Sequence, residues 1–232
     1  MPSIFNAGAN GEIMIDLHTH SLFSDGELIP SELVRRAVIH GYRAIAITDH
    51  ADFTNVEHIL KNVSKAKYLE EVMDIKVLTG VEITHVPPTK IGKMARLAKE
   101  LGAEIVVVHG ETTVEPVAPG TNNVSVELSD VDILAHPGFI TIEEAEKAAD
   151  NNVHLEITAR NGHNRTNGHV ARIAFEAGAK CVVDTDTHSP GNLITRDTAL
   201  KIAMGAGLTL EQAERVLKNS QKIVDEKYQN DI

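Results

Sequence analysis

Residues 13–20, Ile13-Met14-Ile15-Asp16-Leu17-His18-Thr19-His20, form a short apolar run that breaks into two histidines one residue apart. An apolar run of this length reads as a strand buried on both faces, and in a strand residues i and i+2 share a face. His18 and His20 are therefore expected to point the same way from the strand end. The pattern recurs down the chain. Residues 44–48 run into Asp49-His50, 77–81 into Glu82, 105–108 into His109, 133–135 into His136, and 180–184 into Asp186-Thr187-His188. A further apolar run at 153–158 brings the expected strands to seven.

Segments of helical period lie between most of these runs, at 30–40, 56–72, 91–101, 142–151 and 170–177, and two more close the chain at 195–204 and 210–219. Gly41, Gly102 and Gly178 follow helical segments as stop signals. Alternating units of this kind demand parallel strands with right-handed crossovers, hence a closed barrel or a doubly wound sheet. No Gly-x-Gly-x-x-Gly turn follows the first strand, which removes the main support for a dinucleotide fold.

The 232 residues are 42% hydrophobic and 24% charged, which suits one folded domain rather than a disordered chain. Residues 1–13, carrying Asn6, Gly8, Asn10 and Gly11, read as a leader, and residues 14–232 as the domain. Asp and Glu number 33 against 22 Lys and Arg, a net charge of -11 that repels polyanions. Long nucleic acid is not an expected partner, and aromatics for base stacking are only 3%. The single cysteine, Cys181, sits in an apolar run where a buried, inert thiol is expected. No apolar stretch approaches membrane-span length, and the leader lacks the features of a signal peptide, so a cytoplasmic protein without membrane contact is expected.

In a parallel α/β barrel the strand ends open on one face, where active sites lie. Imidazole and carboxylate together suit Zn, Mn or Fe, and a count above four implies more than one ion. A lone histidine after a strand is more often a hydrogen-bonded core or loop residue. Six strand ends carrying such residues reverse that expectation.

Asp16-Leu17-His18-Thr19-His20, Ser24-Asp25-Gly26, Thr48-Asp49-His50, Glu82, His109, Ala135-His136-Pro137 and Asp186-Thr187-His188 together resemble the motifs of the polymerase and histidinol phosphatase (PHP) domain family, in order over residues 14–220. The resemblance implies an α/β fold, a distorted (βα)7 TIM-like barrel in a single domain. It also implies three divalent metal ions, Zn first, with Mn or Fe compatible. His18, His20, Glu82 and Asp186 would hold the first ion; Glu82, bridging, with His109 and His136 the second; Asp25, His50 and His188 the third. Relatives carry histidine or aspartate at the position of Asp25.

The activity implied is that of a metal-dependent phosphoesterase using a metal-activated hydroxide, with Glu82, Asp186 and Arg160 as catalytic residues. A small phosphomonoester is the expected partner, histidinol phosphate being one candidate. The alternatives are a nucleotide or oligonucleotide phosphoesterase, a noncatalytic metal-binding regulatory module, and an amidohydrolase. The last commonly has a lysine bridge, whereas Glu82 is the bridging candidate here.

Arg160 follows the sixth strand, and its planar guanidinium suits phosphate; Arg165 and, beyond Glu82, His85 are further candidate substrate contacts. The Arg160 loop also offers His163 and His169. Asp49 is expected to support neighbouring groups rather than ligate, and Glu156 to occupy a satisfied position inside the barrel. His40, His58 and His154 are expected to be surface or packing residues.

Overall fold

The computed structural model describes residues 13–229, so the expected leader lies, except for Ile13, outside the described residues. The elements run β1 (Met14–Asp16), α1 (Pro30–Ile39), β2 (Tyr42–Ile47), β3 (His50–Ala51), α2 (Val56–Val63), β4 (Lys76–Ile83), α3 (Pro88–Glu100), β5 (Ile105–His109), α4 (Thr121–Ser125), β6 (Ile133–Ala135), α5 (Ile142–Asp150), β7 (His154–Thr158), α6 (Asn167–Ala177), β8 (Cys181–Asp184), α7 (Arg196–Gly205) and α8 (Leu210–Gln229). Seven strands pair in parallel in the order β1-β2-β4-β5-β6-β7-β8, a nearly closed TIM-like barrel in one α/β domain, and the short β3 pairs with the upper part of β4.

Three elements differ from the sequence expectation. The helix expected over 56–72 is α2 followed by a 3₁₀ segment, Ser64–Glu71. The five-residue α4 is too short to show a period, and α8 reaches Gln229 rather than residue 219. The boundaries of α5 are set locally: the Thr141 hydroxyl accepts from the Glu144 amide while the Glu144 carboxylate accepts from the Thr141 amide.

Strand alternation sorts the core into two layers. Along β4, Val77, Val81 and Ile83 face the helices, while Leu78 faces the barrel interior. The interior layer contains Ile15, Leu17, Ala44, Ala46, Leu78, Ile105, Val107, Ile133, Ala135 and Val182. Ile223 and Val224 of α8 join this layer, so the last helix closes that end of the barrel. This apolar floor forces any polar chemistry to the opposite end.

The seam between β1 and β8 has one parallel bridge, Thr19 with Thr187, among the described residues. Carboxylates replace the missing ladder reciprocally: Asp184 Oδ1 accepts from the Leu17 amide at 2.7 Å, and Asp16 Oδ1 accepts from the Thr185 amide at 3.2 Å. The Thr185 hydroxyl donates to Asp16 Oδ2 at 2.6 Å. Cys181 is buried, and burial pushes its thiol pKa up to about 12, in keeping with an inert packing residue. No helix among the described residues is long and apolar enough to cross a membrane.

Candidate metal centre

The strand ends opposite the apolar floor converge on buried imidazoles and carboxylates. His18, His20, Glu82, His109, His136, Glu156 and Asp186 are all buried there, and no lysine or arginine of the described residues is buried among them. His18 and His20 do not simply prolong β1. That strand ends at Asp16, and the consecutive residues Leu17 and His18 both face the interior, so alternation is broken between them. The Asp16 carboxylate accepts from the His18 amide at 3.3 Å, and the Thr19 bridge fixes the far side of this irregular turn. Asp186 likewise lies beyond β8, with φ +50. His18 and His20 thus come together at the mouth through an irregular turn and not through the strand periodicity expected of them.

Among the non-glycine residues described, positive φ occurs at His85, His136, Asn152 and Asp186. Three of these four stand at the mouth, which fits the tendency of backbone strain to collect at functional sites. A glycine is also required there. A Cβ on Gly26 would stand 2.4 Å from the His20 carbonyl oxygen, so the loop carrying Asp25 packs directly on the His20 backbone.

The candidate ligands fall into four groups whose donor atoms lie within 4.8 Å of one another: His18, His20 and Asp186; Glu82, His109 and His136; His20, Asp25, His50 and His188; and His18, His136 and Glu156. Glu82 stands between the first two, with His18 Nε2 at 3.4 Å, His20 Nε2 at 3.6 Å and His136 Nε2 at 3.6 Å from its oxygens. His20 Nε2 is 3.1 Å from Asp186 Oδ1, while its Nδ1 is 3.9 Å from Asp25 Oδ1. His20 therefore belongs to two groups, where the sequence reading gave it one. In the third group His188 Nε2 and His50 Nε2 lie 3.2 and 3.6 Å from Asp25 Oδ1.

Among these atoms, His20 Nδ1, His109 Nδ1 and His136 Nδ1 are buried with no hydrogen-bond partner, while the Glu82 and Asp186 oxygens meet only the imidazoles of the same cluster, Glu82 Oε2 2.7 Å from His50 Nδ1 and Asp186 Oδ1 3.1 Å from His20 Nε2. Leaving such atoms unpaired costs about 1–3 kcal/mol each. Divalent cations bound among such atoms would satisfy them, so the donor set fits divalent metal.

The electrostatics point the same way. Burial alone would neutralise Glu82, but His18, His50 and His109 hold its carboxyl well below the usual range. Burial likewise opposes ionisation of Asp186 and Asp25. His18 and His20 outweigh it at Asp186, and His188 and His50 at Asp25, so both are depressed. Burial disfavours protonation of His18, yet Glu82, Glu156 and Asp186 raise it well above an ordinary imidazole. Desolvation lowers His20 to about 4 and His136 well below its usual value, leaving lone pairs free for coordination.

Supporting residues explain the arrangement. Glu156 Oε1 lies 2.9 Å from His18 Nδ1, and Oε2 accepts from the His136 amide at 2.8 Å, the satisfied interior position expected. Asp49 accepts from the Ser21 amide at 2.8 Å and from the Ser21 and Ser24 hydroxyls at 2.7 Å each, tying down the loop that carries Asp25.

Arg160 is half-buried beside Asp186, with Nη1 3.4 Å from its carbonyl oxygen and Nε 3.8 Å from Oδ2. His85 stands with its ring 5.2 Å from that of His109. Arg165 is exposed on the 3₁₀ turn His163–Thr166 and makes no described contact with these groups. His163, on the same turn, instead places its ring 4.4 Å from His136, with Nδ1 buried and unpaired. His169 turns away to the Ile140 carbonyl, 2.8 Å from its Nε2. Glu115 Oε1 lies 2.7 Å from His109 Nε2. His163 was named from the sequence only as a residue of the Arg160 loop and Glu115 not at all, because both come from loops without period.

The PHP domain model matches residues 16–228. The chain belongs to the PHP domain family. An uncharacterized protein of Methanocaldococcus jannaschii is 56% identical over 206 residues, 87% of this chain and 94% of that protein. A probable phosphatase of Shewanella loihica is 28% identical over 231 residues, 91% of each chain. Among solved structures, a chain of archaeal ribonuclease P with mature tRNA superposes with TM-score 0.67 at 17% identity, covering 92% of this chain and 90% of that one. The histidinol phosphate phosphatase of Lactococcus lactis, complexed with zinc, L-histidinol and phosphate, gives TM-score 0.60 at 16% identity, covering 84% and 94%. At these identities the two structures establish the PHP barrel and nothing finer.

Proposed function

We propose that this PHP-domain protein is a metal-dependent phosphoesterase that hydrolyses a small phosphomonoester with three divalent ions, zinc first. One observation carries the reading: three adjoining groups of donor atoms, each within 4.8 Å, line one mouth, with His20 common to two of them and Glu82 of another lying 3.4 and 3.6 Å from His18 and His20. His18, His20, Glu82 and Asp186 would hold one ion, Glu82, His109 and His136 a second, and Asp25, His50 and His188 a third. Bound there, such ions supply Lewis acidity toward water and the phosphoryl group.

The chain's own groups do the rest. Glu82 and Asp186 carry the negative charge that retains cations, Glu156 orients His18, and Arg160 lies where its fork meets a phosphate oxygen bound at the mouth. Similarity to a probable phosphatase supports phosphomonoester hydrolysis, and the Lactococcus lactis neighbour makes histidinol phosphate the first substrate to test. The ribonuclease P neighbour favours a second reading, a nucleotide or oligonucleotide phosphoesterase. Net charge -11 weighs against the longer of these substrates.

The test is metal analysis of the purified protein, followed by turnover on histidinol phosphate, nucleoside monophosphates and single-stranded oligonucleotides. Close to three equivalents of divalent ion and faster turnover of a small monoester are expected. At most one ion under saturating zinc or manganese overturns the metal reading. Turnover of oligonucleotides alone overturns the small-substrate reading.

A further inference from the structure

We infer that Glu115 is a positioning residue for the second ion, holding the His109 ring so that Nδ1 faces the centre; the inference rests on the metal reading above. His109 is 4% exposed, and its two nitrogens differ. Nε2 lies 2.7 Å from Glu115 Oε1, whereas Nδ1 is buried with no partner. The ring stands edge-on to His136, with centroids 4.5 Å apart, and groups with Glu82 and His136 as a candidate ligand set.

Other histidines of the centre obey one rule with the nitrogens exchanged. His18 has Nδ1 held at 2.9 Å by Glu156 while Nε2 faces Glu82 at 3.4 Å. His188 has Nδ1 held at 2.9 Å by the Asp186 carbonyl while Nε2 faces Asp25 at 3.2 Å. One nitrogen meets a protein oxygen, and the other, facing the carboxylates of the centre, would give its lone pair to a bound cation. A carboxylate only accepts, so contact with Glu115 keeps the proton on His109 Nε2 and leaves the Nδ1 lone pair for a cation.

The placement of Glu115 makes this a separable device. Glu156 is a fully buried strand residue, whereas the Glu115 side chain is 41% exposed and sits on the connection between β5 and α4. The base of that connection is tied independently. Glu111 Oε1 accepts from the Gly120 and Asn122 amides at 2.9 and 3.0 Å, and the Asn122 side chain donates to the Pro137 carbonyl at 2.8 Å. No lysine or arginine of the described residues pairs with Glu115; its ion-pair partner is His109. Removing its carboxylate therefore frees the ring without undoing the loop base.

The experiment compares wild type, Glu115→Ala and Glu115→Gln by zinc titration with metal analysis and by the visible spectrum of the cobalt-loaded protein. Thermal melts of the chelated proteins monitor the fold. Glu115→Ala is expected to weaken one of the three ions roughly 10- to 100-fold, the usual range for a residue supporting a ligand, and to perturb the cobalt bands. The chelated melt should not change. Glu115→Gln, whose amide oxygen still accepts from Nε2, should recover most of the affinity. Unchanged affinity in Glu115→Ala, with wild type holding three ions, overturns the positioning role. Equal loss in Glu115→Gln and Glu115→Ala also overturns it, because the carboxylate would then be ligating directly. A wild type that holds at most one ion overturns the metal reading itself, a result distinct from either.

Discussion

The two halves of the barrel interior are built on the same strands and have opposite physics. In the lower half, Leu78, Ile105, Val107, Ile133 and Val182 pack with Ile223 and Val224, and every such contact favours folding. One or two inward positions further along β4 and β5 stand Glu82 and His109. There Glu82, Glu156, Asp184 and Asp186 are buried with 0–3% exposure, a costly place for carboxylates. The lower half holds the barrel together, and the upper half spends part of that stability on a charged mouth. A strand can do both because its side-chain period ignores chemistry: inward is inward, whether leucine or glutamate occupies the position.

Substituting each half in turn tests this division. Glu82→Ala removes the carboxylate proposed to bridge two ions and is expected to lower kcat/KM by roughly 1,000-fold or more, with loss of at least two ions. Metal analysis beside phosphate-ester kinetics checks it, and retained turnover would break the comparison at its centre. Leu78→Ala should instead destabilise the protein by about 2–5 kcal/mol through the cavity left in the floor. Urea unfolding of the chelated protein measures this. The folded fraction should still bind its full complement of ions, and parallel loss of metal would show that the halves are not separable.

A third test lies at the lower rim, where His154 is 5% exposed. Burial, with Lys180 nearby, lowers its pKa to about 4. The unfolded chain takes up this proton near pH 6.5 and the folded chain near 4. The contribution is therefore complete above pH 6.5 and lost as the pH falls from there toward 4. The expected size is roughly 3 kcal/mol. His154→Gln should flatten that part of the curve for the chelated protein relative to wild type. Identical slopes would remove His154 from the account.

The smallest expected effect is at the edge of the mouth. Arg160→Ala should raise KM or lower kcat/KM for a phosphate ester about 10-fold while leaving metal content unchanged, as for a clamp outside the ligand set. A fall in metal content would place Arg160 in the support of Asp186 instead.

The upper half was legible to different depths. His18, His20, His50, Glu82, His109, His136, Asp186 and His188 could be named in advance because each follows an apolar run, and the parallel fold brings all such ends to one face, whereas Asp25 was named only through the resemblance to the PHP family. The lower half was legible as apolar runs, but the residues of α8 that close it were not, since the helix was expected to stop at 219, before Ile223 and Val224. Arg165 and His163 are two residues apart on one turn, and nothing in the local sequence says that the histidine turns inward and the arginine outward.

The sequence by itself therefore determined the order of strands and helices, the two-sided burial of the strands and the chemical type of the mouth. Those are properties of residues within a few positions of one another, read through the periods of strand and helix. Only the tertiary structure decided which groups meet: Glu156 with His18, Glu115 with His109, His20 between two clusters, and Asp16 and Asp184 across the seam. Most of those pairings join residues far apart in the chain, and that of Glu115 with His109 depends on the course of a loop that has no period to read.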